Sequence, residues 1–151
     1  MQTLSEQIVA AARSYVGTRF AHQGRRKACG KDRGGIDCLG LLIGVAAECR
    51  LMHEGRPLCD ADRRDYGHIP NSQRLQDALN KHLMAKSQFR LEPADILLLS
   101  IDNNPQHLAI VGEYNGDQTL IHAYAPVRGV VEHRLDEGWR ARIVAAYRFT
   151  E

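Results

Sequence analysis

The chain has 151 residues, of which 44% are hydrophobic and 25% are charged. This size and composition are typical of one globular domain with its own hydrophobic core, so we expect a single domain over residues 1–151. A formal net charge of +2 does not indicate a nucleic-acid partner. The apolar runs are too short to span a bilayer, and the N-terminus lacks the basic-then-apolar pattern of a signal peptide. We therefore expect synthesis in the cytoplasm and no membrane span.

The first third of the chain predicts two helices separated by a long connection. Thr3 and Glu6 have the spacing of a capping box, which predicts an amphipathic helix over 4–16 that ends at Gly17. Residues 17–36 are irregular, and a connection of this length is more often functional than idle. Its basic stretch, 25–27, is expected to be a solvated loop.

The second helix is predicted from Asp37 to Leu51, with Asp37 as its N-cap. Cys38 then lies where the first backbone N–H groups of the helix have no internal partner. Because the positive end of the helix dipole favours a thiolate, we expect the pKa of Cys38 to be lowered. The other cysteines, Cys29, Cys49 and Cys59, are expected to be reduced thiols, although a disulfide among them stays open. No C-x-x-C pair is present, so the spacing does not predict a metal site.

The second half of the chain changes from helix to strand patterns. After a polar loop over 52–70, a third helix is predicted from Asn71 or Ser72 to about Ala85. Strands are then predicted at 95–99, 107–114, 118–124, 129–135 and 142–149. Helices followed by strands predict an α+β fold, in which N-terminal helices pack on a C-terminal antiparallel sheet.

Asn115-Gly116 is the strongest hairpin signal in the chain and predicts a two-residue turn. With that turn, His107 and His122 lie on one face of the hairpin as diagonal neighbours, with Cα atoms roughly 7–8 Å apart. A three-residue turn would place them on opposite faces. Two histidines near Cys38 are the parts of a nucleophilic site with a base and an orienting group, provided that helix and hairpin pack face to face. A buried inert thiol with two structural histidines is the alternative.

Several ordered motifs resemble the NlpC-type cell-wall peptidases, which have a papain-like fold, and above all their branch in phage and prophage tails. The motifs cover nearly the whole chain and lie at residues 17–23, 37–41, 93–97, 105–110, 120–124, 129–132 and 145–149. The resemblance implies a cysteine endopeptidase or amidase that acts on peptidoglycan stem peptides, with no cofactor and with phage tail proteins as further partners. It also implies that the protein is carried by a virion or a prophage-derived particle.

Carried onto this chain, the resemblance implies that Cys38 is the nucleophile, His107 the base and His122 the orienting residue. The implied substrate-binding positions follow the cleft segment and the nucleophile motif: Phe20, His22, Gln23, Asp37 and Leu39. Asp37 fits a helix cap better than a substrate contact, and Trp139 fits a core residue. His53, His68, His82 and His133 fit no pattern.

Three positions depart from the family pattern. Phe20 replaces a cleft tyrosine, Leu39 replaces the serine that often follows the nucleophile, and Ala94 replaces a glycine at an expected small cost. The missing hydroxyl at Phe20 motivates an alternative function, a tail-assembly or adaptor module that keeps the fold with little activity. A third hypothesis is the same cysteine chemistry on another amide or ester.

Overall fold

The fold of the protein was obtained as a computed structural model that describes residues 1–68 and 71–150. Its helices are α1 (Leu4–Arg13), α2 (Cys38–Glu48), α3 (Ser72–His82) and α4 (Glu137–Arg140). Its strands are β1 (Arg25–Arg26), β2 (Gly35–Ile36), β3 (Met52–His53), β4 (Arg56–Pro57), β5 (Met84–Lys86), β6 (Ile96–Ile101), β7 (Asn104–Tyr114), β8 (Asp117–Tyr124), β9 (Gly129–Arg134) and β10 (Ile143–Arg148). The end of the predicted 52–70 loop, at Ile69 and Pro70, lies outside the described residues, as does Glu151.

A six-stranded antiparallel sheet forms the centre of the fold, in the order β5-β10-β6-β7-β8-β9. Helices α1 and α2 pack against one face of this sheet. The core on that face is formed by α1 and α2 residues together with Leu98, Leu108, Ile110, Ile121 and Ala123. The predicted α+β class, with N-terminal helices on a C-terminal antiparallel sheet, is confirmed.

Local capping determines where the first helices begin. The Thr3 side chain accepts a hydrogen bond from the Glu6 N–H, and the Glu6 side chain accepts one from the Thr3 N–H, so the predicted capping box is present. Both helices end earlier than predicted, with α1 ending at Arg13 and α2 at Glu48. Among the helices in the described parts of the chain, none is long and apolar enough to cross a membrane.

The β7–β8 hairpin has the predicted two-residue turn. Asn115 and Gly116 have φ angles of 51° and 84°, which match the left-handed conformations that a type I′ turn requires. Tyr114 pairs with Asp117, and the register continues without a slip to Ile110 opposite Ile121. The three-residue turn is thereby excluded.

Several short elements were not predicted from the sequence. The strand pairs β1–β2 and β3–β4 each contain only two residues per strand, which is too short for a periodic pattern. Strand β5 is stabilised by pairing with β10, which lies about sixty residues later in the chain. Helix α4 spans a single turn and begins at Asp136, whose side chain accepts a hydrogen bond from the Trp139 N–H. Long-range pairing and capping, rather than local periodicity, define these elements.

The expectation that Ala94 costs little is wrong. Asp95 N–H donates to the Glu92 carbonyl at 3.1 Å, and Pro93 and Ala94 are the central residues of this turn. Ala94 has a φ of 78°, as the third residue of a type II turn requires, and that position favours glycine. An L-residue in this conformation costs about 1–2 kcal/mol.

Ala94→Gly is therefore expected to raise the free energy of unfolding by up to about 1 kcal/mol, because glycine relieves the strain but gains freedom in the unfolded chain. Urea denaturation of the two proteins measures this difference. The matched control is Ala109→Gly, in the buried interior of β7, which should be destabilising. An equal loss of stability in both variants would contradict the strain at Ala94.

Candidate active site

The N-terminus of α2 positions Cys38 as the first helical residue. Asp37 caps the helix, and its Oδ1 accepts a hydrogen bond from the Gly40 N–H at 2.8 Å. A Cβ atom at Gly40 would lie only 2.4 Å from the carbonyl oxygen of Gly24. Glycine at this position therefore lets the 21–25 segment lie directly against the first turn of the helix.

The carboxylate of Asp37 is buried and accepts hydrogen bonds from four groups of the protein. Besides Gly40, it accepts hydrogen bonds from the Gln23 N–H at 2.8 Å, from Arg25 Nη1 at 2.9 Å and from the Tyr66 hydroxyl. The helix-cap interpretation of Asp37 is confirmed, whereas these four donors leave little room for a substrate contact at its side chain.

Arg25 corrects the prediction of a solvated basic loop. Its side chain is only 10% exposed and pairs with both Asp37 and Asp62. It also donates to the hydroxyl of Tyr66 at 2.8 Å. Arg25 therefore ties the segment that contains Asp62 and Tyr66 to the residue preceding Cys38. The neighbouring Arg26, by contrast, is exposed and pairs with Asp32.

The two predicted histidines meet on the sheet. His107 Nε2 lies 2.7 Å from His122 Nδ1, and both residues are buried. The ring of Tyr124 stacks on His122 with centroids 5.2 Å apart, and the edge of Trp139 contacts His122 with centroids 5.0 Å apart. The prediction that the two imidazoles are neighbours is therefore confirmed. Trp139 helps to enclose them.

The two histidines share one face of the sheet, as predicted, and it is the face turned away from the core of α1 and α2. Side chains alternate along β7 and β8, and the residues facing α1 and α2 are Leu108, Ile110, Ile121 and Ala123. His107 and His122 therefore lie on the opposite side of the sheet, where Ala109 and Leu120 belong to a separate cluster of buried apolar residues. Helix and hairpin pack together, but the imidazoles do not point at the helices.

Cys38 and His107 nevertheless line one cavity, near the N-terminal end of β7. The backbone N–H of Leu108, the residue after His107, lies close enough to the Cys38 sulfur to favour its thiolate. In the described part of the chain, the hydrogen bond of the His107 ring goes to His122 rather than to the thiol. Catalytic hydrogen bonds are often long or misaligned in the absence of substrate.

The expectation of a lowered Cys38 pKa is wrong. Burial, together with the nearby Asp37 carboxylate, raises the pKa of Cys38 to about 12, against the opposing effect of the Leu108 and Leu39 N–H groups. Burial also lowers the pKa of His107 to about 4 and that of His122 further. Burial of the resting site therefore favours a thiol and neutral imidazoles over a thiolate and an imidazolium.

These buried neutral histidines give a pH-dependent stability. Because the pKa of His107 falls from 6.5 to about 4 on folding, the unfolded chain binds more protons in acid. We expect the free energy of unfolding to fall by roughly 3 kcal/mol for this group alone as the pH drops from about 6.5 to about 4. Urea unfolding at several pH values tests this, and His107→Gln should show a shallower dependence. The same dependence in both proteins would contradict a buried neutral His107.

The cavity next to Cys38 has a volume of about 490 Å³. Four of the predicted substrate positions, Phe20, His22, Asp37 and Leu39, line it. Gln23 is not among the lining residues, because its side-chain amide donates to the Tyr66 carbonyl at 2.6 Å. Away from Cys38 the lining is mostly apolar and comes from α2, α3 and the C-terminal segment: Leu42, Ile43, Ala46, Leu75, Leu79 and Phe149. Within residues 1–68 and 71–150, no cluster of three or more His, Cys, Asp or Glu side chains could hold a metal ion.

Three residues at the site were not predicted. Tyr66 and His68 line the cavity, where the rings of His68 and His22 stack with centroids 4.0 Å apart. His133 Nε2 lies 2.8 Å from His122 Nε2. Tyr66 and His68 are in a segment without periodicity, so no sequence pattern could have found them. His133 could have been found from the β8–β9 register, in which it lies opposite Leu120.

The fold of the chain is similar to those of solved NlpC/p60 domains. The NlpC/p60 domain of the peptidoglycan hydrolase SagA has a TM-score of 0.59 and 21% identity, covering 96% of this chain and 98% of its own. The p60 domain of an antigen from M. avium subspecies paratuberculosis has a TM-score of 0.62 and 17% identity, covering 98% and 96%. The chain has the NlpC/p60 fold.

An N-acetylmuramoyl-L-alanine amidase from Bacteroides uniformis is also similar to this NlpC/p60 fold. Its TM-score is 0.66 at 10% identity, covering 98% of this chain and 99% of the amidase. No protein-family model matches the sequence, and no curated protein matches it at a significant level. The resemblance to the NlpC-type peptidases is therefore confirmed at the level of the papain-like fold.

Proposed function

We propose that the protein is a cysteine hydrolase that cleaves amide bonds in peptidoglycan stem peptides. The observation that carries the proposal is a cavity of the NlpC/p60 fold lined by both Cys38, at a helix N-terminus, and His107, whose ring contacts that of His122. The activities named for SagA and for the Bacteroides uniformis amidase support the same substrate class.

In this proposal His107 is the base and Cys38 the nucleophile. Because His107 Nε2 is engaged with His122, its Nδ1 is left to take the thiol proton as the sulfur attacks the scissile carbonyl carbon. The backbone N–H of Cys38 is one donor to the oxyanion of the tetrahedral intermediate. Protonated His107 then gives its proton to the leaving amine, and a thioester remains. Water, deprotonated by His107, hydrolyses the thioester and restores the thiol.

The test is digestion of purified muropeptides followed by mass spectrometry. We expect pairs of products whose masses sum to that of the substrate plus one water, which identifies hydrolysis and locates the bond. Heat-denatured protein is the control. Unchanged muropeptides, under conditions in which an NlpC/p60 hydrolase cleaves them, would count against a peptidoglycan substrate.

We further propose that the enzyme acts as part of a phage or prophage tail. Support for this comes from the resemblance of residues 129–132 and 145–149 to the phage-type pattern. Co-sedimentation of the protein with particles induced from its host is the expected result. Particles that lack the protein would oppose this location without affecting the proposed chemistry.

The apolar lining favours a second candidate, hydrolysis of an amide or ester that carries an apolar chain. A cavity of about 490 Å³ is large enough for a medium-length acyl chain, and α2 and α3 offer it few polar partners. Acyl amides and esters of increasing chain length, assayed beside muropeptides, separate the two candidates. Turnover that rises with chain length would favour the second. Turnover of neither class would favour the adaptor module suggested by Phe20.

A further inference from the structure

A third imidazole, that of His133, is hydrogen-bonded to the His107–His122 pair, so that the three rings form a hydrogen-bonded line. His133 lies on β9, diagonally opposite His122, and its Nε2 is 2.8 Å from His122 Nε2. The other ring nitrogen of His133, Nδ1, lies 2.9 Å from the carbonyl oxygen of Arg134. Hydrogen bonds therefore run without a break from the proposed base through two further imidazoles to a backbone carbonyl.

The carbonyl of Arg134 determines the direction of every hydrogen bond in this line. A carbonyl oxygen only accepts, so His133 Nδ1 must carry a hydrogen. In a neutral ring Nε2 of His133 is then an acceptor, and His122 Nε2 must donate to it. His122 Nδ1 is in turn an acceptor, and His107 Nε2 donates to it. The only ring nitrogen in the line left with a free lone pair is His107 Nδ1.

We propose that His133 is a positioning residue that, together with the Arg134 carbonyl, holds His107 in the tautomer with an unprotonated Nδ1. This inference rests on the proposed function only in taking His107 as the base. When His107 Nδ1 accepts the thiol proton, its Nε2 proton can pass to His122 Nδ1, and the Nε2 proton of His122 can pass to His133 Nε2. The positive charge then moves to His133, and the reverse transfers return a proton to the leaving amine.

The surroundings of the three rings explain why His133 suits this role. His107 and His122 are buried, so a charge on either is poorly solvated, whereas His133 is only partly buried. The indole of Trp139 packs against both His122 and His133, with centroids 5.0 and 5.3 Å away, and holds their rings in place.

Few charged groups compete with His133 for its position in the line. Glu132 points to the other face of the sheet, where it binds Arg13 and Thr119. Arg142, which precedes β10, lies over the indole ring of Trp139, with its Cζ 4.4 Å from the ring centroid. On β8 the ring that contacts His133 is that of His122, with centroids 4.9 Å apart.

The experiment compares two charged variants of opposite hydrogen-bonding character, His133→Glu and His133→Lys. A carboxylate only accepts and preserves the direction of the line, whereas an ammonium group only donates and reverses it. Nitrogen NMR of protein with isotope-labelled histidine rings shows which ring nitrogen of each histidine carries the hydrogen. We expect Nε2–H tautomers for His107 and His122 and an Nδ1–H tautomer for His133 in the unmodified protein. The Lys variant should convert His122 to Nδ1–H, and the Glu variant should not.

Hydrolysis measured on the same proteins gives the functional readout. His133→Lys is expected to lower kcat by roughly 10²-fold or more with little change in KM, because His107 Nδ1 becomes protonated. The kcat of His133→Glu should stay within about tenfold of that of the unmodified enzyme. The acid limb of its pH profile should move to higher pH, since a nearby carboxylate favours protonated imidazoles. His53→Gln is the matched control, because His53 lies on β3 and does not line the cavity, and it should change neither the tautomers of the three rings nor the rates.

Two results would overturn the role of His133. One is an Nδ1–H tautomer of His122 in the unmodified protein. The other is an equal loss of kcat in the Glu and Lys variants, which would indicate a packing role only. Because the tautomers are measured without substrate, they decide the inference even if no muropeptide is cleaved, and the two failures remain distinguishable.

Discussion

Cys38→Ala is expected to lower hydrolysis of the substrate by roughly 10⁴-fold or more while leaving the fold intact. The sulfur forms the thioester in the proposed mechanism, and no other side chain on the cavity can replace it at the N-terminus of α2 without moving the backbone. Because alanine is a good helix former and the change removes only the sulfur atom, the free energy of unfolding should change by about 1 kcal/mol or less. Product formation over long incubations, measured by mass spectrometry, gives the residual rate.

Cys29→Ala is the matched control, because Cys29 is an exposed free thiol in the 17–36 connection. Its rate should equal that of the unmodified protein. Residual activity of Cys38→Ala above about one hundredth of the unmodified rate would exclude Cys38 as the nucleophile. Loss of activity in both variants would instead point to a general effect of removing thiols.

Arg25→Met is expected to lower the free energy of unfolding by about 3–5 kcal/mol, the largest stability effect that the structure indicates. Removal of one partner from a buried ion pair leaves the other charge without compensation. Here two carboxylates are affected, because Arg25 Nη1 lies 2.9 Å from Asp37 and Nη2 lies 3.0 Å from Asp62. The change should also lower hydrolysis, since Asp37 caps the helix that carries Cys38.

Urea denaturation of Arg25→Met and of the control Arg26→Met measures this difference. Arg26 is 65% exposed in its pair with Asp32, and exposed pairs contribute about 1 kcal/mol or less. The two variants change the net charge equally, so a difference between them reflects burial. Similar midpoints for both would show that the Arg25 pairs contribute no more than a surface ion pair.

The elements that could be predicted from the sequence depend on contacts between near neighbours. The capping box of Thr3 and Glu6 and the Asp37 cap join residues three apart, so their patterns are visible in the sequence. The Asn115-Gly116 turn likewise sets the β7–β8 register by its own backbone conformation, and that register brought His107 and His122 together correctly. Proximity in the sequence made these features predictable.

The predictions that failed concerned the environment of individual side chains. The helix dipole alone indicated a lowered Cys38 pKa, but burial and the Asp37 carboxylate raise it. Because it lies in a short basic stretch, Arg25 is predicted to be exposed to solvent. In the structure its side chain is instead bound by Asp62 and Tyr66, which lie about forty residues later in the chain. The replacement of the family's glycine by Ala94 is expected to cost little, and only the φ angle of Ala94 reveals the strain.

The sequence by itself determined the α+β class, the position of Cys38 at a helix N-terminus and the pairing of His107 with His122. Each of these follows from caps, turns and periodicity, which act over a few residues. Only the tertiary structure decided which face of the sheet carries the imidazoles, how the charge of Asp37 is compensated and that His133 extends the line to the Arg134 carbonyl. Desolvation and hydrogen-bond direction depend on every group that surrounds a side chain, and those groups come from distant parts of the chain.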